Sequence, residues 1–511
     1  MSIAKTVLRN VASSWMGFGS QILLTLLLTP FVISKLGVEA YGVWLLLQST
    51  LGYYGFVDMG LRAGLTQSIT HRIAAKDYEG VSKHLGAAVP ILSMLGGVIL
   101  LISLLVAVLL PRFVEMDPSI RHGLWLVILV QGLGSALQMP FAPVGAVLVG
   151  LQRYDIAEGI AVGTRITSGC LTWLVLTYGG GLLALAEIIL VVNLVDSCVR
   201  LMIARRLLPA IRNTAFTLDR SELKELGAVG TWNFIIQISR QFIYFSSALL
   251  VGLMFSAKAV APFGIAASIV DYGNRLVMIS TRVLFPTMVH LGKGGNIALQ
   301  KQLFITATRI SVGVSLASVI VGYAWIDAFL RLWLGGEQSA QEITAQAPTI
   351  FLILGIAFAF VSLQRVGTQL LLARNEMAFL AVTMLVEACA NLVIGVLCGW
   401  QMGPLGIAVG TLIPAVACTL FLHMPNHSRT LETPLPKLLF AILARPILFG
   451  TAISFAMAVL RYYAPGPKTW FDLMLVGAVS ASIVCLLLPI LLSKPQVQTV
   501  SKHLLRGFAR F

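Results

Sequence analysis

Runs of about 20 apolar residues follow one another along most of this 511-residue chain, separated by short polar breaks. A helix of that length crosses roughly 30 Å of hydrocarbon at a rise of about 1.5 Å per residue. Inside lipid the backbone must satisfy its own hydrogen bonds, and no alternating strand pattern competes with the helical reading. Hydrophobic residues make up 58% of the chain and charged residues only 11%, which excludes a soluble globular protein. The runs predict an all-α polytopic membrane protein with about 14 transmembrane helices. They fall near 10–34, 40–62, 86–110, 121–150, 155–178, 181–204, 226–254, 258–285, 302–332, 345–373, 377–399, 402–424, 438–461 and 470–493.

The breaks recur at an offset of 222 residues. Gly42 returns as Gly264, Leu148 as Leu370, and Gly181-x-Leu183-x-x-Ala186 as Gly403-x-Leu405-x-x-Ala408. Six spans precede the basic connector Ala204 to Lys224, and six follow it. An even number of spans returns the chain to the same side, so the halves are expected to be parallel repeats about an axis along the membrane normal. The expected organisation is a six-helix lobe over 1–222, a second over 223–424, and two unrepeated helices with a basic tail over 425–511.

The formal net charge of +15 reports topology here, and no nucleic-acid partner is expected. With the N-terminus inside, 22 lysines and arginines fall at cytoplasmic segments and inner span ends, and 7 at outer ends. That bias predicts cytoplasmic termini. Trp44, Trp125, Trp173, Trp325, Trp333, Trp400 and Trp470 sit near the outer ends, as an interfacial belt would. The first span follows Lys5 and Arg9, but it is too long for a signal peptide and has no small-residue cleavage site. The six cysteines all lie in spans without metal-ligand spacing, and no catalytic, nucleotide or dinucleotide fingerprint occurs. No metal, no cofactor and no enzymatic activity are expected.

Ionisable residues inside spans are the informative set, because each costs about 2.5–3.5 kcal/mol at the bilayer centre unless it faces a cavity or a partner. Every basic member is arginine, which stays charged and grips phosphate oxygens bidentately. Arg240 is the most central and either faces a substrate cavity or pairs with a carboxylate; Arg165 and Arg275 lie in the cytoplasmic half. Arg282, Arg309, Arg365 and Arg445 lie near inner ends, where snorkelling to the headgroups is the expected behaviour. Asp58 with Arg62 and Asp271 with Arg275 stand one helical turn apart, so each pair can neutralise itself. Glu187, Asp196 and Glu387 are candidates for ion coupling or for charge pairing, Asp196 with Arg200 for example.

Leu36-Gly37-Val38-Glu39-Ala40-Tyr41-Gly42-Val43-Trp44 and Val57-Asp58-Met59-Gly60-Leu61 resemble the start of the polysaccharide-biosynthesis flippases. Val147-Leu148-Val149-Gly150-Leu151-Gln152-Arg153 and Gly403-Pro404-Leu405-Gly406-Ile407-Ala408 are similar to that family too. The resemblance implies a member of the multidrug/oligosaccharidyl-lipid/polysaccharide exporter superfamily, with two lobes rocking around a partly cationic cavity. It further implies a bacterial inner-membrane protein that carries an undecaprenyl-pyrophosphate-linked oligosaccharide to the periplasmic leaflet, beside polymerase and glycosyltransferase partners. Lipid II flippases and cation-coupled multidrug antiporters share that architecture. A membrane polymerase or ligase would bring larger outer loops than this chain has. The pyrophosphate is expected at Arg240, assisted by Arg165 or Arg275.

Overall fold

The computed structural model describes residues 3–56, 61–212, 231–282, 284–293, 297–335, 338–464 and 466–492. Among the described residues there is no strand, and twelve helices are long and apolar enough to cross a membrane. The chain is a multi-pass all-α membrane protein. Two differences separate these twelve from the expected fourteen. Helix α1 (Ile3–Gly52) runs through both of the first two expected spans, broken only at Gly37, whose backbone (φ 85°, ψ 165°) leaves the helical region. Helix α9 (Ala257–Arg282) is long enough, but Asp271, Asn274 and Arg275 make its second half polar.

Contacts divide the chain into two compact units, Met1–Ala261 and Pro262–Phe511. In the first, α1 packs on α6 (Tyr154–Thr177) and on α8 (Thr231–Met254), a helix that the sequence repeat places in the second half. Helix α3 (Tyr78–Phe113) packs on α4 (Pro118–Gln138), and α4 on α7 (Leu182–Leu207). Helix α2 (Leu61–Ala74) meets α5 (Ala142–Gly150), and their contact forms a core around Leu65, Ile69, Val147 and Leu148.

In the second unit α10 (Leu284–Lys293) and α11 (Ile297–Trp333) pack on α12 (Gln338–Ala373), and α11 packs also on α16 (Leu435–Tyr463). Helix α13 (Met377–Met402) lies against α14 (Pro404–Ala417), which continues through a π-helical turn, Cys418–His423, into α15 (Met424–Thr430). The π turn also packs on α12, and α17 (Trp470–Leu487) closes the chain against α16. Phe304, Leu363, Val366, Leu370, Leu438 and Ile442 form the core of this unit.

Two of the pairs that repeat in sequence are packing positions in both units. Leu148 and Leu370 are fully buried, as are Ala186 and Ala408. Each leucine precedes the same helix stop. Gln152 (φ 55°) and Asn375 (φ 60°) are left-handed, and the next residue's N–H reaches back five positions, Arg153 to Leu148 and Glu376 to Leu371, both at 2.9 Å. This is the Schellman closure, which satisfies carbonyls that a helix end leaves open.

Lipid is as apolar as leucine, so helices associate in it through close packing, which small residues permit. Gly395 and Gly399 on α13 face Gly406 and Gly410 on α14. A methyl added at Gly406 would lie 2.0 Å from the Cys398 carbonyl oxygen, and one at Gly410 would lie 2.3 Å from the Gly395 Cα.

Candidate functional site

Helix α8 carries Asn233, Gln237, Arg240 and Tyr244 at steps of four, three and four residues, which places them on one stripe. All four are exposed, while Ile236, Ser239 and Ser246 are buried on other faces. Arg240 stands about 14 Å along a helix of about 36 Å, near its middle. A stripe of amide, guanidinium and phenol groups at that depth is costly against hydrocarbon and suits a hydrated or ligand-facing surface. In the sequence, depth alone marks Arg240 and does not reach Asn233, Gln237 and Tyr244, whose helical spacing to Arg240 is the available signal.

An aromatic cluster occupies another face of α8, joined to the stripe through Phe245, whose ring centre lies 4.9 Å from that of Tyr244. Phe242 sits 5.6 Å from Tyr53 and 5.3 Å from Phe56, ring centre to ring centre, and Phe245 sits 6.2 Å from Tyr53. Two glycines allow the approach: a methyl at Gly52 would strike the Phe245 ring at 2.4 Å, and one at Gly55 would lie 2.7 Å from the Gln241 amide. The sequence Gly52-Tyr53-Tyr54-Gly55-Phe56 therefore brings two aromatic rings against α8. Tyr54 turns the other way, into the core, where its hydroxyl lies 2.6 Å from Ser103 Oγ.

Arg165 on α6 is half-buried and donates to the Gly17 carbonyl at 3.0 Å, with Ser20 Oγ at 3.5 Å. The Glu158 carboxylate rests on the same glycine, where a methyl would lie 2.3 Å from it. Gly17 and Gly55 lie about 20 residues to either side of the break at Gly37.

The carboxylates divide by partner. Asp196 accepts from Arg200 Nε at 2.6 Å, from Arg200 Nη2 at 3.1 Å and from Thr164 Oγ1 at 2.8 Å. Asp271 accepts from Arg275 Nε at 2.6 Å. Both are charge pairs closed within one helical turn. Glu187 is exposed near the start of α7 and has no partner among the described residues. Arg62 is exposed and places Nη2 3.2 Å from Met139 Sδ, whereas Asp58 lies outside the described residues. Asp196→Ala is expected to destabilise the protein by about 1.5–3 kcal/mol, the usual contribution of hydrogen bonds to a charged group, without altering any ion dependence of transport. Melting of the purified variant, together with transport at varied sodium and proton concentration, checks this.

Glu387 on α13 is the buried carboxylate, 5% exposed. Gln364 hydrogen-bonds to it, and Arg365 acts on it electrostatically. Gln364 Nε2 also donates to Thr419 Oγ1 at 2.5 Å, in the π turn, and Arg365 Nη2 donates to Asn274 Oδ1 at 2.5 Å. Arg365 therefore turns into the protein, where snorkelling was expected. Arg309 and Arg445 are also tied to packed neighbours, donating to the backbone carbonyls of Ala441 and Leu492. The reason is common to all three: five N–H donors in a low dielectric are best satisfied where a packed neighbour offers an oxygen.

The polysaccharide biosynthesis protein family matches residues 7–291, more than half of the chain and all of the first unit's α6 to α8. The chain belongs to that family. It is 23% identical over 402 residues to the uncharacterized membrane protein EpsK of Bacillus subtilis (strain 168), covering 76% of each chain. Its fold is similar to that of the lipid II flippase MurJ in an inward closed conformation, with a TM-score of 0.66, 12% identity, and 94% of this chain and 98% of that one covered. It is equally similar to an inward-facing multidrug resistance MATE family transporter of the MOP superfamily, with a TM-score of 0.66, 18% identity, and 81% and 95% covered. At these identities the solved structures establish the fold.

Proposed function

We propose that this family member is a flippase of the bacterial inner membrane, not an enzyme, that moves an undecaprenyl-pyrophosphate-linked oligosaccharide from the cytoplasmic to the periplasmic leaflet for surface polysaccharide assembly. The observation that carries the reading is the exposed stripe of Asn233, Gln237, Arg240 and Tyr244 in the middle of a membrane helix. A guanidinium binds a pyrophosphate by charge-assisted hydrogen bonds, and neighbouring side-chain amides add donors and acceptors. The Tyr244 ring on the same stripe, with the Phe245 ring 4.9 Å from it, supplies the kind of surface on which the apolar faces of sugars rest. The polyprenyl tail stays in lipid.

Arg165 is the assisting cation in this reading, exchanging its bond to the Gly17 carbonyl for a phosphate oxygen. Arg275, held by Asp271, serves as a charge pair. The 222-residue repeat supports lobes over 1–222 and 223–424 with 425–511 appended, the basic bias supports cytoplasmic termini, and alternating access follows from a preference of the ligand for one of two arrangements. A cation-coupled drug antiporter has less support, because Asp196 and Asp271 are already held by arginines.

Arg240→Ala is expected to lower polymer export in complemented cells about tenfold to a hundredfold, the loss of a charged hydrogen bond of about 1.5–3 kcal/mol, at unchanged protein level. Arg240→Lys keeps charge but loses the bidentate fork, and export should fall with it. Normal export in both variants removes Arg240 from the site.

A further inference from the structure

Arg309 and Arg445 meet in the second unit with no acid between them among the described residues. Arg309 Nε donates to the Ala441 carbonyl at 2.6 Å, and Ala441 lies one turn before Arg445 on α16. Helical side chains lean toward the N-terminus, so the Arg445 side chain lies over that same turn. The two guanidiniums are near enough to repel each other. Arg445 Nη1 donates to the Leu492 carbonyl, at the end of the turn that follows α17. These are the bonds the two arginines make among the described residues, one of five N–H donors each.

Charge balance is missing along these helices too. Helix α16 has no acidic residue, α11 has only Asp327 and α17 only Asp472. Asp327 pairs with Arg461 and stands about 27 Å along α11 from Arg309. Asp472 is spent on the α17 capping box. Lys437 adds a third positive charge two turns before Arg445.

Depth identifies the ligand. Helix α16 is about 43 Å long, so a hydrocarbon layer of about 30 Å centred on it begins about 7 Å from either end. Arg445 starts about 15 Å from the first residue and reaches back about 6 Å, and Arg309 is held at Ala441, about 9 Å from that end. Both guanidiniums thus lie at the boundary where lipid phosphates sit, half-buried and accessible, with Phe440 and Leu448 exposed on the same helix for acyl chains. Basic pockets between membrane helices at that level hold anionic headgroups.

We propose that Arg309 and Arg445 form a site for the headgroup phosphate of an anionic membrane phospholipid, whose charge completes the contact between α11, α16 and the end of α17. The site is separate from the Arg240 stripe and does not depend on what the protein transports.

The test is native mass spectrometry of the purified full-length protein titrated with phosphatidylglycerol, phosphatidylcholine and inorganic phosphate. Phosphatidylglycerol should bind at least fivefold more tightly than phosphatidylcholine, and millimolar inorganic phosphate should not displace it. Arg309→Gln or Arg445→Gln should weaken it about fivefold, and the double variant about 30-fold, at about 1 kcal/mol per arginine. The double lysine variant should keep most of the binding. Equal phosphatidylglycerol binding by the native protein and the double glutamine variant overturns the site. Equal binding of the two lipids to the native protein overturns it however the variants fold, and displacement by inorganic phosphate overturns a lipid as the ligand.

Discussion

Replacing Glu387 with alanine is expected to destabilise the purified protein by about 3 kcal/mol, the lower end of what breaking a buried charged contact costs. The carboxylate is almost fully buried, takes a hydrogen bond from Gln364, and sits in the field of Arg365. Alanine leaves the Gln364 amide one acceptor short and removes the carboxylate on which Arg365 acts. Glu387→Gln keeps the shape and an acceptor for Gln364 and should cost about 1 kcal/mol. In the double variant Glu387→Ala with Arg365→Met the loss should be smaller than the sum of the single losses, since the two positions share one network. Thermal or denaturant melting in detergent measures all five proteins, the native one and the Arg365→Met single variant included. An alanine variant that melts with the native protein would show that the network contributes nothing to the fold.

Gly410→Leu should be as damaging. Its first side-chain carbon alone would lie 2.3 Å from the Gly395 Cα and 3.0 Å from the Ile394 carbonyl carbon. Those are backbone atoms and cannot rotate away, so α13 and α14 must separate. Overpacking a tight contact costs about 1–3 kcal/mol or more, and in lipid close packing is itself what holds the helices together. The folded, monodisperse yield on size exclusion should fall severalfold, with Gly410→Ala between leucine and the native protein. A leucine variant recovered at the native yield would mean that the glycine faces do not hold these helices together.

Local and non-local features differ in how far the sequence discloses them. Apolar runs and the 222-residue echo disclosed the helices, and the echo marked residues that are buried in both units, Leu148 with Leu370 and Ala186 with Ala408. The pairs Asp196–Arg200 and Asp271–Arg275 were legible because helical geometry alone brings residues four apart together. The contacts of Arg165 with Gly17, Gln364 with Thr419 and Arg309 with Ala441 were not, since each depends on the register between two packed helices. The same limit explains the snorkelling expected of Arg365, which a span read in isolation supports and the packed neighbour Asn274 overrides. At α8 the periodicity was present in full; reading charge by depth, without the amides and phenol at the same spacing, passed over it.

The most direct test of the central claim is transbilayer movement of a lipid-linked oligosaccharide by the purified protein. Proteoliposomes loaded with an undecaprenyl-pyrophosphate oligosaccharide, probed from outside with a membrane-impermeant lectin or glycosidase, report how fast sugar on the inner leaflet becomes accessible. The native protein should accelerate exposure well beyond that in protein-free vesicles, and Arg240→Ala should cut that acceleration about tenfold to a hundredfold. Exposure no faster than in protein-free vesicles would contradict the account.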